Sequence, residues 1–445
     1  MVGAGIAGLA AALELQAAGH EVFVIDPADR PGGVMRTDHV SGYVVERGPN
    51  TTQVKPPMRA FLEERRLQEH LRAAEPSSRL RFIYRDEALQ RVPMSPLALA
   101  RTPLLSTRAK LRLLGEPFIG RRRGDAEETV AEFVGRRLGP EVVTGMVGPF
   151  LTGVYAGDED QLGARAVFPA LVDWEDRHGS VVLGGLASAL ARGRPKGLRG
   201  SWGGQAGFGP FARRLADQLA EPPALGSRVM AVGRDGAQLR VEVTSSNGDL
   251  DLSARRVVVA APAPEAAQVV RLLDGEASRA LEGIAYAPIA SIPLGVDPAD
   301  VRRPIEGFGF LVPREAKLSL LGCLFMSELF PGRAPEGRTL LHCMLGGVRW
   351  PEAAHVSEEL LVERAVADVD RVLGLDGAPE LLGVGRWERA VPQPGRDHLA
   401  RVDFVQSRLT AAAPGVALAG AYVAGVSVAD ALASGIAAAR RTLAV

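Results

Sequence analysis

Gly3-Ala4-Gly5-Ile6-Ala7-Gly8 constrains this chain more than any other stretch, because glycines at that spacing dictate one local geometry. The G-x-G-x-x-G pattern is followed by Leu9, Leu13 and Leu15 at helical spacing and closed by Gly19, which predicts a tight turn entering a helix. A short apolar strand, Val22-Phe23-Val24-Ile25, then ends at Asp26. In such a unit the glycines let the backbone approach a pyrophosphate at a helix N-terminus, and an acid about 20 residues on receives the ribose hydroxyls. Gly3, Gly5, Ile6, Ala7, Gly8 and Asp26 are therefore candidate dinucleotide-binding residues. The strand before Gly3 is reduced to Met1-Val2, where about five residues are usual, so a native start upstream of Met1 is expected.

The 445 residues exceed one ordinary domain and suggest two or three. Hydrophobic content of 47% with 23% charged residues is that of a globular chain. A net charge of +0 provides no electrostatic footprint for nucleic acid, and no such partner is expected. Two cysteines, Cys323 and Cys343, cannot form a disulfide framework and fit a reducing, cytoplasmic setting. The N-terminus lacks the basic region of a signal peptide, and Asp430 interrupts the apolar stretch 414–440, so no membrane span is expected. His20, His39, His70, His178, His342 and His355 show no metal-ligand spacing, and no metal site is expected.

Further along, Arg228-Val229-Met230-Ala231-Val232 and Leu239-Arg240-Val241-Glu242-Val243 read as a hairpin, and 256–262 as a buried parallel strand containing Ala260. Arg30-Pro31-Gly32-Gly33-Val34-Met35-Arg36-Thr37 resembles the R-x-G-G-R-x-x-[ST] motif of the flavin amine oxidase and protoporphyrinogen oxidase superfamily. Gly32 and Gly33 allow another close approach of backbone to cofactor, and Arg36 can neutralise its phosphates. Gly420-Ala421-Tyr422, Gly425-Val426-Ser427, Asp430 and Gly435 resemble the closing flavin segment of that superfamily, where a helix N-terminus faces the flavin pyrimidine carbonyl. With no cysteine near that segment, the resemblance implies non-covalent FAD.

Within the superfamily, Glu46-Arg47-Gly48-Pro49-Asn50 is similar to the E-x-G-P-N segment of protoporphyrinogen oxidases. Arg81-Phe82-Ile83-Tyr84, Gly153-Val154-Tyr155-Ala156-Gly157-Asp158, the stretch from Gly307 to Pro313, and Leu329-Phe330-Pro331 resemble other segments of that family. The resemblance implies an α/β plus α+β chain with a Rossmann-type FAD-binding domain (1–54, 198–268 and 412–445), a mixed-sheet substrate domain (55–76, 181–197 and 269–411) and a helical membrane-associated domain (77–180). Thr37, Gly48, Pro49, Val229, Ala260, Gly420, Tyr422, Gly425, Val426 and Ser427 join the expected FAD contacts. Arg81 would pair with a propionate, Asn50 would lie near substrate and flavin, and Ala156, Gly157, Phe308 and Phe330 would line the macrocycle cavity.

The activity so implied is oxidation of a porphyrinogen to a porphyrin, with oxygen reduced to hydrogen peroxide and no general base identified. Protoporphyrinogen is favoured over coproporphyrinogen. A flavin amine oxidase or desaturase and a non-catalytic tetrapyrrole-binding relative are the rivals, and a homodimer is left open. The segment Pro392-Gln393-Pro394-Gly395-Arg396-Asp397-His398 departs from the family's P-Q-Y-x-x-G-H at Pro394 and Asp397, which bears on substrate-side detail. Arg101, Arg108, Lys110, Arg112, Arg121, Arg122 and Arg123 surround Leu111, Leu114 and Phe118 at helical spacing. That pattern fits either a basic amphipathic helix on the inner face of the cell membrane or a solvated basic face over a core stripe.

Overall fold

The computed structural model describes all residues except Arg123, Asp125, 192–197, Arg199, Asn247 and Val445, so one member of the basic set and part of the 181–197 boundary lie outside the described residues. The alanine- and leucine-rich helix Ile6–Ala17 is buried along most of its length. It ends at Ala18, and the chain turns away through Gly19, whose φ of 83° suits glycine. The principal partner of this helix is the C-terminal helix Val428–Leu443. Small residues let the two approach closely, since a Cβ on Gly435 would fall 2.0 Å from the Ala7 carbonyl oxygen.

Beneath these helices runs a parallel sheet assembled from distant segments. Val2 bridges Ile25 on one side and Val259 on the other, Ile25 also bridges Ala224, and Val257–Val259 pairs with Val416–Leu418. The two residues before Gly3 complete the central row: Val2 N donates to Val258 O at 2.9 Å, and Ile25 N donates to Met1 O at 3.0 Å. The expected strand 22–25 narrows to a single bridge at Ile25, and Phe23 is exposed. The hairpin Ser227–Asp235 with Gln238–Ser245 carries a third strand, Gly248–Ala254, that sequence reading missed. Its side chains are nearly all exposed, so it has no apolar alternation to detect.

A second, eight-stranded sheet is mixed, because Gly309–Leu311 runs parallel to Phe82–Arg85 while the other pairs are antiparallel. One face of it, including Ile292, Phe310, Cys323, Leu341 and Cys343, forms a core with the helix Glu358–Leu373. Helices between 96 and 191 enclose a separate core around Val130, Phe133, Val134 and Leu151. The single amphipathic helix considered for 101–123 is instead broken into Pro96–Arg101, Thr107–Leu114 and a short turn at Glu116–Phe118. Ser95 caps the first of these helices, and the new cap at Ser106 starts the second and interrupts the stretch. Nor are its apolar residues a core stripe: Leu114 is 74% and Phe118 91% exposed. No helix among the described residues is long and apolar enough to cross a membrane.

Glu116, the one acid in that stretch, is fully buried with Arg137. Its carboxylate pairs with the guanidinium, accepts from Ser180 Oγ, and accepts from Val181 N at 3.0 Å. Removing one partner of a buried pair leaves an uncompensated charge, which costs about 3–5 kcal/mol. Arg137→Leu is therefore expected to lower the unfolding free energy, read from urea denaturation, by that amount, whereas replacing both residues with apolar ones recovers most of it. Burial, and then the charge of Arg47, pushes the His342 imidazole down to about 4 from 6.5. Between those values the unfolded chain binds more protons, so stability falls as pH drops through the window, by roughly 3 kcal/mol in total. Urea midpoints at pH 7 and pH 5 should converge in His342→Gln compared with the wild-type chain.

Candidate active site

The two glycine loops meet at the end of the parallel sheet. Gly32 N donates to Ala4 O at 2.8 Å, and Gly5 and Gly32 form a bridge. A Cβ on Gly8 would fall 1.9 Å from Gly3 O, and one on Gly32 would fall 2.8 Å from the Ala212 methyl, so both positions exclude side chains. By contrast a Cβ on Gly5 would meet nothing within 4 Å, and no side chain caps the helix that begins after it. Open space in front of an uncapped helix N-terminus is what a pyrophosphate requires. Ile6 and Ala7 form the first turn of that helix. The Asp26 carboxylate lies beside the loop, accepting from Ala4 N at 2.6 Å and Ala28 N at 2.8 Å, with lone pairs left for a ribose hydroxyl.

Arginines bring positive charge to this loop. Arg36 extends into solvent and pairs with Asp38 at 2.9 Å. Arg30, unassigned from sequence, braces the turn by donating to Met35 O and Gly33 O, both at 3.0 Å. Burial and then the charge of Arg36 lower the Arg30 pKa, with Arg213 adding to the effect. Asp29 and Asp38 oppose that shift, so three arginines and two acids share the turn beside the glycine loops. Val229 is buried beside Val2 and Ile25 in the sheet core. Ala260 N donates to Val2 O, and Ala260 O lies 2.9 Å from where a Gly3 Cβ would be.

A buried network that sequence reading missed fixes the next segment. Thr37 Oγ1 donates to Glu46 Oε2 at 2.7 Å and accepts from Gly209 N at 2.9 Å. Glu46 also accepts from Phe208 N at 3.0 Å and from Arg333 at 3.2 Å. This tethers the hairpin Thr37–Val40 with Tyr43–Glu46 and orients Gly48-Pro49-Asn50. Gly48 has no room for a side chain, since a Cβ would fall 1.9 Å from Val34 O. Asn50 is buried, and its Oδ1 has no hydrogen-bond partner among the described residues.

The C-terminal loop closes the other side. Gly420 and Gly425 take φ of 130° and 133°, and Gly420 N donates to Ser434 Oγ at 2.8 Å. Ser427 caps the helix Val428–Leu443 by accepting from Asp430 N at 3.1 Å, and Lys55 pairs with Asp430 at 2.5 Å. Tyr422 is buried with an unpartnered hydroxyl, while its carbonyl accepts from His398 Nε2 at 2.7 Å. The altered 392–398 segment therefore supports the cofactor loop, where sequence reading had confined it to the substrate side. Val426 packs on the core of the helical region. Tyr155 of that region is pushed up to about 12 by burial and then by Asp430, so the helix Gly148–Tyr155 borders the same loop.

Arg81 stands apart among the expected substrate residues. Its guanidinium stacks on Phe308 at 4.2 Å and donates to Ser201 Oγ at 3.3 Å, yet it pairs with no carboxylate among the described residues. Burial lowers its pKa. Ala156 adopts a left-handed φ of 49° and holds Val348 N on its carbonyl at 2.9 Å. Gly157 is packed against Gln393 and Leu162, where a Cβ would clash at 2.6 Å and 2.8 Å. Phe330 is 1% exposed and lies on Gly203. It is a core residue and forms no cavity wall, because glycine at 203 lets the strand close over its ring.

Three comparisons agree with this geometry. Residues 6–443 match the family model described as flavin containing amine oxidoreductase. A chloroplastic protoporphyrinogen oxidase of Oryza sativa is 32% identical over 96% of this chain and 84% of its own length. A coproporphyrinogen III oxidase of Bacillus subtilis is 27% identical over 98% of this chain and 96% of its own. A crystal structure from Exiguobacterium sp. 255-15 superposes with a TM-score of 0.82 at 25% identity, covering 99% of this chain and 97% of that one. FAD is accordingly the cofactor that the glycine loops are shaped for. The chain belongs to the flavin-containing amine oxidoreductases and, within them, to the protoporphyrinogen oxidase family.

Proposed function

We propose that this chain oxidises a porphyrinogen to its porphyrin in haem biosynthesis, with protoporphyrinogen favoured and oxygen reduced to hydrogen peroxide. Arg81 carries the reading: a half-buried guanidinium, backed by an aromatic ring and without an acid of its own, is a receptor for a carboxylate brought from outside. Bound FAD supplies the two-electron acceptor. The chain's part is to hold the propionate at Arg81, to place the macrocycle near Asn50 and Ala156, and to keep the cofactor loops rigid. Non-covalent attachment is supported by the position of both cysteines, which lie in the core of the eight-stranded sheet.

Relatives named for both substrates match at similar identity, so the propionate count of the preferred porphyrinogen is the open variable. An aerobic fluorescence assay of FAD-loaded protein, given each porphyrinogen separately, decides it. Porphyrin formed faster than autoxidation, with peroxide alongside, supports the oxidase. No acceleration with either leaves a different flavin substrate or a non-catalytic role.

Location is the second part of the proposal: a cytoplasmic protein resting on an anionic membrane surface. Leu111, Leu114 and Phe118 are exposed beside Leu186 and Leu190 of the neighbouring helix Val181–Ala191. Arg108, Arg112, Arg121 and Arg122 are exposed in the same region. Apolar insertion with surrounding cations is the chemistry of interfacial binding. Co-sedimentation with phosphatidylglycerol vesicles, but not with phosphatidylcholine ones, is expected and should weaken at least tenfold in a Leu114→Ser, Phe118→Ser double variant. Protein that stays in the supernatant with both vesicle types would refute it.

For Arg81 the expected loss follows from a hydrogen bond to a charged group, worth about 1.5–3 kcal/mol. Arg81→Gln should lower kcat/KM roughly 10- to 100-fold, mainly through KM. A porphyrinogen with esterified propionates should show the same loss in the wild-type enzyme and little further loss in the variant.

A further inference from the structure

The eight-stranded sheet has a polar cluster on the face opposite its core. Along Thr339–Gly346, Leu341, Cys343 and Leu345 enter the core, which puts Leu340, His342 and Met344 on the other face. Met344 there packs with Phe308 on one side and with Ala156 on the other, so this face borders two of the expected substrate residues. His342 lies between Pro293 and Leu324 of the adjoining strands, 1% exposed, and its Nδ1 has no hydrogen-bond partner among the described residues. Ser291, opposite Met344 and diagonal to His342, is buried and its Oγ is also unpartnered.

Arg47 completes the cluster. A Cβ on Gly385 would fall 2.5 Å from Ser291 Oγ and 3.8 Å from Arg47 Cδ, which places the hydroxyl and the arginine stem together. Arg47 donates from Nε to Asp38 and from Nη2 to Leu382 O, both at 2.8 Å, while its Nη1 is unpartnered. Three residues on, Asn50 Oδ1 is unpartnered too. Buried polar atoms in folded proteins are nearly all hydrogen-bonded, so the unpartnered atoms of Arg47, Ser291 and His342 together point to a group or a proton that comes from outside the chain.

We propose that Arg47, Ser291 and His342 form a proton-relay site for the oxidation, with His342 accepting the proton that leaves the substrate. This rests on the porphyrinogen reading above. In each two-electron round, a methylene C–H bond breaks and its electron pair leaves as hydride to oxidised flavin. As the hydride leaves, a proton is given up. In two of the rounds it comes from an adjacent pyrrole N–H, whose pair remains to complete a C=N bond; in the third it comes from the last methylene C–H, whose pair completes the conjugated ring. Each proton passes through the Ser291 hydroxyl to a His342 ring nitrogen. It is released to solvent before the next round. Loss of hydride makes that N–H or C–H far more acidic than in the neutral porphyrinogen, so a weakly basic imidazole suffices. Burial and the Arg47 charge keep the ring neutral at rest, and so ready to accept.

The test uses FAD-loaded wild-type, His342→Gln and Ser291→Ala proteins mixed anaerobically with porphyrinogen. Flavin reduction is expected to slow at least 100-fold in His342→Gln and about tenfold in Ser291→Ala, within the range of general-base contributions. FAD affinity and reoxidation by oxygen should stay unchanged, which a purely structural role would not allow. Independently of turnover, adding product porphyrin to the wild-type holoprotein should shift the His342 ring ¹⁵N resonances, assigned by their loss in His342→Gln. Wild-type reduction rates in a variant that retains FAD, or unshifted resonances, would overturn the proposal. If His342→Gln loses FAD, Ser291→Ala decides by the same criterion. Failure of the wild-type flavin to bleach at all would instead remove the porphyrinogen reading, and this relay with it.

Discussion

The close approach of the first helix to the C-terminal helix is the contact on which the rest of the molecule depends. Gly8 against Gly3 O and Gly435 against Ala7 O leave no volume for a methyl group, so the two ends of the chain lie in backbone contact. That contact holds the glycine turn and the 420–427 loop at one edge of the parallel sheet. Everything between them must leave this sheet and return to it, as Ala224, Val257–Val259 and Val416–Leu418 do. A cofactor long enough to touch both loops is thus gripped by residues from opposite ends of the sequence.

Buried ions perform a second kind of fastening. Glu46 with Arg333 ties the first hairpin to the helix beginning at Phe208, and Glu116 with Arg137 ties the turn after Thr107–Leu114 to the helix Val130–Arg137. Burial raises the Glu46 carboxyl above its ordinary value while Arg333 and the Thr37 hydroxyl oppose that shift. Apolar pairs of equal volume would pack as well, and what the ions add is direction. Glu46 receives a backbone N–H of one element and a guanidinium of another, so it sets the angle between them.

Local pattern made the cofactor half legible. Gly3, Gly8, Gly32, Gly48 and Gly425 each exclude a side chain for a reason of backbone geometry, and such reasons are written at fixed short spacings. The substrate half was less legible, because its contacts join residues hundreds apart. Arg81 meets Ser201 and Phe308, and Arg47 meets Leu382, pairings that no short window contains. Phe330 reads as a wall by resemblance, yet its burial follows from a glycine at 203 that only the fold brings beneath it. Glu116 in a run of arginines looks solvated until its partner 21 residues away is known.

The departures at Pro394 and Asp397 illustrate how such long-range demands select residues. Around them the chain uses mostly backbone: Gly163 N donates to Pro394 O at 2.8 Å, Gln393 N donates to Ala285 O at 2.8 Å, and His398 N donates to Gly395 O at 3.1 Å. A carbonyl acceptor asks nothing of the side chain that bears it, so proline replaces an aromatic at 394 without losing that bond. Gln393 and His398 are different, since Tyr155 O and Tyr422 O each receive a side-chain N–H from them. One carbonyl belongs to the helical region and the other to the cofactor loop. Gln393 and His398, which match the family, reach across this strut with their side chains, whereas Pro394 and Asp397, which depart from it, contribute backbone carbonyls.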